Sequence, residues 1–128
     1  MNQDSPTGRQ LLERAAQQLL DPQGRDLAAA VQWWALPNLG DDWPVAVMGS
    51  ASGSEPVLLL HGFDSSCLEF RRLAPLLTPQ ATVLVPDLYG FGFSPRPTQG
   101  EVTPTGVLQH LELLLEAACE RLGVSRHG

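Results

Sequence analysis

The sequence has no lysine; its basic residues are eight arginines, and its net charge is −6 over 128 residues. An acidic chain without a basic cluster lacks the electrostatic footprint for nucleic acid or an anionic membrane, so neither is expected as a partner. No apolar run approaches the ~20 residues of a membrane span. The opening Met1-Asn2-Gln3-Asp4-Ser5-Pro6 has neither the basic nor the apolar region of a secretory signal, which makes a cytoplasmic location the expectation. Cysteine is sparse. Cys67 and Cys119 both fall in segments of helical pattern, and two thiols without a signal fit a reducing compartment better than a disulfide framework. They read as small buried apolar side chains. There is no internal repeat, no metal-ligand spacing and no sign of a cofactor. What is present, 43 % hydrophobic residues with three Trp, four Phe and one Tyr, suffices for one folded domain.

Residues 1 to 8 read as a loose tail. Leu11, Leu12, Ala15, Ala16, Leu19 and Leu20 recur at helical spacing over 9–20, and Asp21-Pro22-Gln23-Gly24 is expected to end that helix. Arg25 to Ala30 is ambiguous. Val31–Leu36 and Trp43–Met48 read as a hairpin around the turn residues Pro37 to Asp42, followed by a Gly/Ser connector over 49–54. Val57–Leu60 is a short apolar run that stops abruptly at His61-Gly62, as a buried parallel strand does. Ser66 and Glu69 stand at capping-box spacing ahead of a helix carrying Leu68, Phe70, Leu73, Leu76 and Leu77, with Pro75 expected to kink or end it. Ala81–Val85 is the next strand, and Pro86 to Val102 a long loop. Thr103-Pro104 opens a final helix with an apolar stripe of Val107, Leu108, Leu111, Leu114, Leu115, Ala118 and Leu122, and Gly123 closes it. Strand–helix–strand–helix at this spacing is a parallel βαβα unit, with the hairpin adding antiparallel pairing at one edge.

Two loops carry chemistry. A His-Gly loop leaving a strand can aim a backbone N–H at an oxygen that gains charge during acyl transfer. Gly62 would allow a backbone angle forbidden to side chains, Phe63 would offer its N–H, and Asp64-Ser65-Ser66 would turn the chain into the helix. The second loop is Asp87-Leu88-Tyr89-Gly90-Phe91-Gly92-Phe93-Ser94. Its Gly90-x-Gly92 invites a dinucleotide reading, but that fingerprint needs a third glycine and a helix start where Pro95 and Pro97 stand.

Together the two loops resemble the N-terminal half of an α/β-hydrolase of the serine-hydrolase type, over about residues 31–125. Leu60-His61-Gly62-Phe63 resembles the family's oxyanion-hole loop. The resemblance implies Phe63 N–H as donor, with His61 and Gly62 supporting the loop and His61 not acting as base. Asp87, Gly90, Gly92 and Ser94 match the family's structural Asp-x-x-Gly-x-Gly-x-Ser loop, with Asp87 a brace rather than the triad acid. The implied fold is α/β: a partial hydrolase sheet of one antiparallel hairpin and two parallel strands with flanking helices, lacking the fifth strand onward. Residues 1–30 would be an N-terminal tail and helix, and residues 31–128 the truncated domain.

The family's nucleophile sits on a Gly-x-Ser-x-Gly elbow after the fifth strand, followed by an acid and a histidine. No such elbow occurs here; Gly49-Ser50-Ala51-Ser52-Gly53 has Ala at its centre. His110, on the polar side of the last helix, and His127 in the tail both read as solvated. The expectation is a hydrolase fragment inactive alone, whose parent cleaves an ester- or amide-like bond in a small molecule. Its apolar Val57–Leu60 edge would favour self-association and marginal stability. The alternatives are a non-catalytic module that pairs with another chain, or a small-molecule binding protein.

Overall fold

The computed structural model describes residues 7–18, 21–37, 39–49, 56–62, 65–94 and 103–123. Helices α1 (Gly8–Gln18) and α2 (Pro22–Ala29) lead into strands β1 (Val31–Leu36) and β2 (Gly40–Met48). Then come β3 (Val57–Leu58), a 3-10 turn (Cys67–Phe70), α3 (Leu73–Leu77), β4 (Val83–Pro86) and α4 (Pro104–Leu122). The strands form one sheet in the order β1-β2-β4-β3. β2 runs antiparallel to both β1 and β4, while β3 and β4 are parallel. The expected hairpin and parallel pair are thus one mixed sheet with helices on its faces.

Helix starts account for two departures from the sequence expectation. Thr7 is no part of a loose tail: its hydroxyl accepts the Gln10 N–H at 3.1 Å, and the Gln10 side chain accepts the Thr7 N–H at 2.9 Å. That reciprocal pair is a capping box. Asp21 does not terminate a helix but opens one. In an extended conformation it accepts the Gln23 N–H at 3.0 Å, and Pro22 occupies the first turn, where no N–H is needed. The ambiguous stretch after Gly24 is therefore helical through Ala29. The Asp21 carboxylate also receives Arg71 Nε at 2.7 Å, which ties α2 to the 3-10 turn.

The segment after His61 is less regular than its apolar spacing implied. It divides into the 3-10 turn and the five-residue α3, with Pro75 inside the latter. Leu73 and Leu76 point outward, Leu76 being 73 % exposed. β3 and β4 also differ from the expected bounds, although Leu59 N–H still reaches the Leu84 carbonyl at 2.9 Å.

The core lies on both sides of the sheet because successive strand residues face opposite ways. On one side Trp34, Leu36, Trp43, Val45 and Leu84 pack against Leu114 and Ala118 of α4. On the other, Ala46, Val83 and Val85 pack with Leu27, Cys67 and Ala74. β4 is buried along its whole length, as a strand covered on both faces must be. Thr103 caps α4 through the Gly106 N–H at 3.1 Å, and Gly123 closes it in a left-handed conformation. The inward face of α4, however, is His110, Leu114 and Ala118, and Leu108 is 61 % exposed. The expected stripe was broad enough to fit several rotations of the helix. Packing selected the one that turns His110 into the protein, so His110 is not a solvated side chain.

Leu114→Ala removes a fully buried side chain and should cost about 2–5 kcal/mol of unfolding free energy. Leu108→Ala should change it by less than about 0.5 kcal/mol. Urea denaturation of the two variants checks the rotation assigned to α4.

Candidate functional site

The site is the junction where β3 and β4 end side by side. β3 delivers His61, which is only 4 % exposed. Its Nδ1 lies 2.7 Å from the Gly62 carbonyl, and its Nε2 lies 3.0 Å from the Leu88 N–H. A carbonyl only accepts and an amide N–H only donates. Nδ1 therefore carries the proton and Nε2 offers its lone pair, which defines a neutral imidazole with both nitrogens committed. Asp87 Oδ1, 3.8 Å from Nε2, is too distant for a hydrogen bond.

β4 delivers Asp87, which is sealed from solvent. One carboxylate oxygen accepts the Cys67 N–H, and the other accepts the Phe93 N–H at 2.8 Å. Burial raises its carboxyl above the usual range, and these two donors oppose that rise. Its main chain is equally occupied. Asp87 N–H donates to the Pro44 carbonyl at 3.2 Å, as in an antiparallel ladder. Proline has no N–H to return, so the Asp87 carbonyl is open, and Ser94 Oγ donates to it at 2.7 Å. Ser94 is thereby buried and bonded back onto the strand end.

The glycines of this loop have a steric reason. Gly90 and Gly92 take φ of +86° and +56°, and a Cβ on Gly92 would stand 2.5 Å from the Asp87 carboxylate. Phe93 N–H is spent on Asp87, so the loop turns a donor inward instead of presenting it to a phosphate. Gly62 differs from the expectation. Its φ is outside the left-handed region and a Cβ there would meet nothing within 4 Å, so no strained backbone angle calls for glycine. What distinguishes the position is open space.

Ser66 caps the 3-10 turn through the Leu68 N–H at 3.2 Å, but the other half of the expected capping box is absent. Glu69 reaches back instead. It accepts Ser65 Oγ at 2.6 Å and the Gly62 N–H at 3.4 Å, which hold its carboxyl below the usual range. Spacing marked Glu69 as a partner but could not choose which N–H it meets. Cys67 supplies a backbone donor that sequence reading missed. Its thiol is buried, and burial, with Asp87 close by, pushes it far up, so it is no thiolate nucleophile.

Phe63, Asp64, the connector from Ser50, Pro95, Pro97 and His127 lie outside the described residues. Among the described residues no group of three or more His, Cys, Asp or Glu could hold a metal ion, and no helix is long and apolar enough to cross a membrane.

A mixed sheet in this order, with a His-Gly loop after β3 and a clasped Asp-glycine loop after β4, defines the front of an α/β-hydrolase domain. The chain belongs to that family: the alpha/beta hydrolase fold model matches residues 55–126. It is 36 % identical over 78 residues to a soluble epoxide hydrolase of a Corynebacterium species, covering 61 % of this chain and 27 % of that protein. Lipase 1 of Psychrobacter immobilis is also 36 % identical over 78 residues, with 61 % of this chain and 24 % of the lipase covered. Among solved structures, a loop variant of a haloalkane dehalogenase of Bradyrhizobium elkanii superposes with a TM-score of 0.60 at 27 % identity, over 69 % of this chain and 28 % of that one. The chain thus spans roughly a quarter of the length of these relatives.

Gly92→Ala should destabilise the fold by about 2 kcal/mol or more, because it combines a disfavoured φ with a clash on a buried carboxylate. Gly62→Ala should be neutral to within about 0.5 kcal/mol. Thermal melts of both variants, compared with the parent chain, test the contrast.

Proposed function

We propose that this chain supplies the oxyanion side of a hydrolase active site and does not catalyse hydrolysis by itself. In this reading the Phe63 N–H is the donor to the developing oxyanion, His61 braces the loop, and Gly62 leaves room for the substrate to approach. Asp87, Gly90, Gly92 and Ser94 form the structural loop behind it. The observation that carries the reading is the double commitment of His61. An imidazole whose two nitrogens are both held by the main chain cannot take a proton from a nucleophile. With no Gly-x-Ser-x-Gly in the 128 residues, the nucleophile and its base are supplied from outside them.

The substrate in the parent enzyme is a small molecule with an ester, amide or similarly cleavable bond. The relatives are named for epoxide, lipid and haloalkane chemistry, and a shared scaffold does not choose among these. Nucleic acid is disfavoured by the net charge of −6. A cytoplasmic location belongs to the same reading, supported by the free thiols of Cys67 and Cys119.

The second reading, a module that pairs with another chain or with itself, has its own observation. Among the described residues β3 pairs only with β4. Between this end of the sheet and α4, Pro56, Leu58, Leu84, Leu115, Ala118, Cys119 and Leu122 line an apolar cleft of about 90 Å³, and beyond β3 Leu60 is 42 % exposed. An open apolar edge of this kind invites strand pairing.

A fluorophosphonate probe distinguishes the two claims about chemistry. No serine of the purified chain should be labelled, and stoichiometric labelling of any serine would overturn the proposal. Sedimentation at rising concentration tests the pairing reading: association is expected, and a concentration-independent monomer with a cooperative melt counts against it.

A further inference from the structure

His110 is 1 % exposed, and neither of its ring nitrogens has a hydrogen-bond partner. A buried polar group left unpaired is costly, and natural cores rarely keep one without a use. Its surroundings are aromatic. The ring lies 4.6 Å from Trp43 of β2 at an interplanar angle of 35°, and 6.4 Å from Tyr89 of the loop after β4. Tyr89 in turn is 5.8 Å from Trp43. Gly106, one turn before His110, packs so closely that a Cβ would come within 3.0 Å of the Tyr89 ring. The first turns of α4 and Trp43 therefore form a seat for Tyr89.

Tyr89 directly follows Leu88, whose N–H is held by His61 Nε2. A continuous path of contacts thus runs from α4 through Tyr89 and Leu88 to the His61 loop. Among the described residues, the rings that face the imidazole are Trp43 from β2 and Tyr89 from the loop, and on α4 itself the nearby Glu112 is exposed. Burial pulls His110 down to about 4 from 6.5, and among the described residues no charge offsets it. The seat is built for a neutral ring, and protonation would place a cation there with no acceptor.

We propose that the docking of α4 on Tyr89 is an acid-sensitive latch closed by neutral His110, and that its release frees Leu88 from His61. The functional meaning of this latch rests on the reading of the His61 loop as oxyanion support; the conformational change itself does not. The direction follows from linkage. Because the docked state disfavours the protonated ring, docking is at full strength above pH 6.5 and weakens as pH falls from 6.5 toward 4. From well above pH 6.5 to well below pH 4 the docking equilibrium should fall by roughly 300-fold in all.

The test is an NMR pH titration of the chain without substrate, following the His110 ring, the Tyr89 ring and the Leu88 amide. All three should move together, with a midpoint well below 6.5. In His110→Phe, which keeps an aromatic ring on Trp43 but has no nitrogen to protonate, Tyr89 and Leu88 should stay flat over the same range. If His110→Phe fails to fold, His110→Leu takes its place, since it too has no nitrogen to protonate. A Leu88 amide that stays still while His110 titrates overturns the latch. So does a Leu88 transition that persists in His110→Phe, which would assign the change to the Asp87 carboxyl. Neither result bears on probe labelling of serine, so the latch and the proposed function fail separately.

Discussion

Asp87 is the residue on which the rest of the site depends. Its two carboxylate oxygens take N–H groups from the turn after the His61 loop and from the glycine loop, and its own main chain is bonded to Pro44 and Ser94. One residue at the end of a buried strand thereby joins β2, the segment after β3 and the loop after β4. A charge sealed from water is tolerable only with donors around it, so the burial of Asp87 and the inward turning of both loops require each other. The positive φ at Gly92 follows from the same need, since the loop must pass against the carboxylate with no side chain between. The missing N–H of Pro44 belongs to it too. A ladder bond that proline cannot make becomes the anchor for Ser94.

The protein buries two imidazoles by opposite means. His61 meets a carbonyl on one nitrogen and an amide on the other, so its tautomer and orientation are dictated by the main chain. His110 lies against the rings of Trp43 and Tyr89, and its two nitrogens have no hydrogen-bond partner. The first arrangement makes a rigid brace. The second makes a position whose energy depends on its protonation state. Because Leu88 and Tyr89 are adjacent, the two imidazoles sit at the ends of one short path.

The fold prepares a site more fully than it specifies a reaction. The clasped loops set the orientation of the chain at the ends of β3 and β4, where open α/β sheets hold their chemistry. In the proposed reading, what such a site does with a substrate depends on the nucleophile, base and binding walls brought to it. That is consistent with relatives named for three different reactions sharing this portion of structure.

Strand and loop identity were legible in the sequence because they depend on local signals. Apolar runs bounded by His-Gly and Pro-Asp predicted β3 and β4 to within a few residues, Thr103, Pro104 and Gly123 marked α4, and the hairpin was expected, although Gly40, Asp41 and Asp42 lie in β2 and not in its turn. The two loops were recognisable from residue types and spacing through their resemblance to a known family. Which partner each polar group would meet was not legible, because spacing limits reach without choosing among donors. Glu69 stood at the right interval from Ser66 and turned instead to Ser65 and Gly62, while Asp21 opened a helix where it was expected to end one. The rotation of α4 is the clearest case. Its apolar stripe was broad enough to permit several faces, and only packing against Trp43, Leu84 and the sheet chose the face that buries His110. The sequence by itself determined the order of elements and the residue types of the two loops, since both are written in contiguous residues. The tertiary structure alone decided which side chains lost water and which partners replaced it, because that depends on residues far apart in the chain.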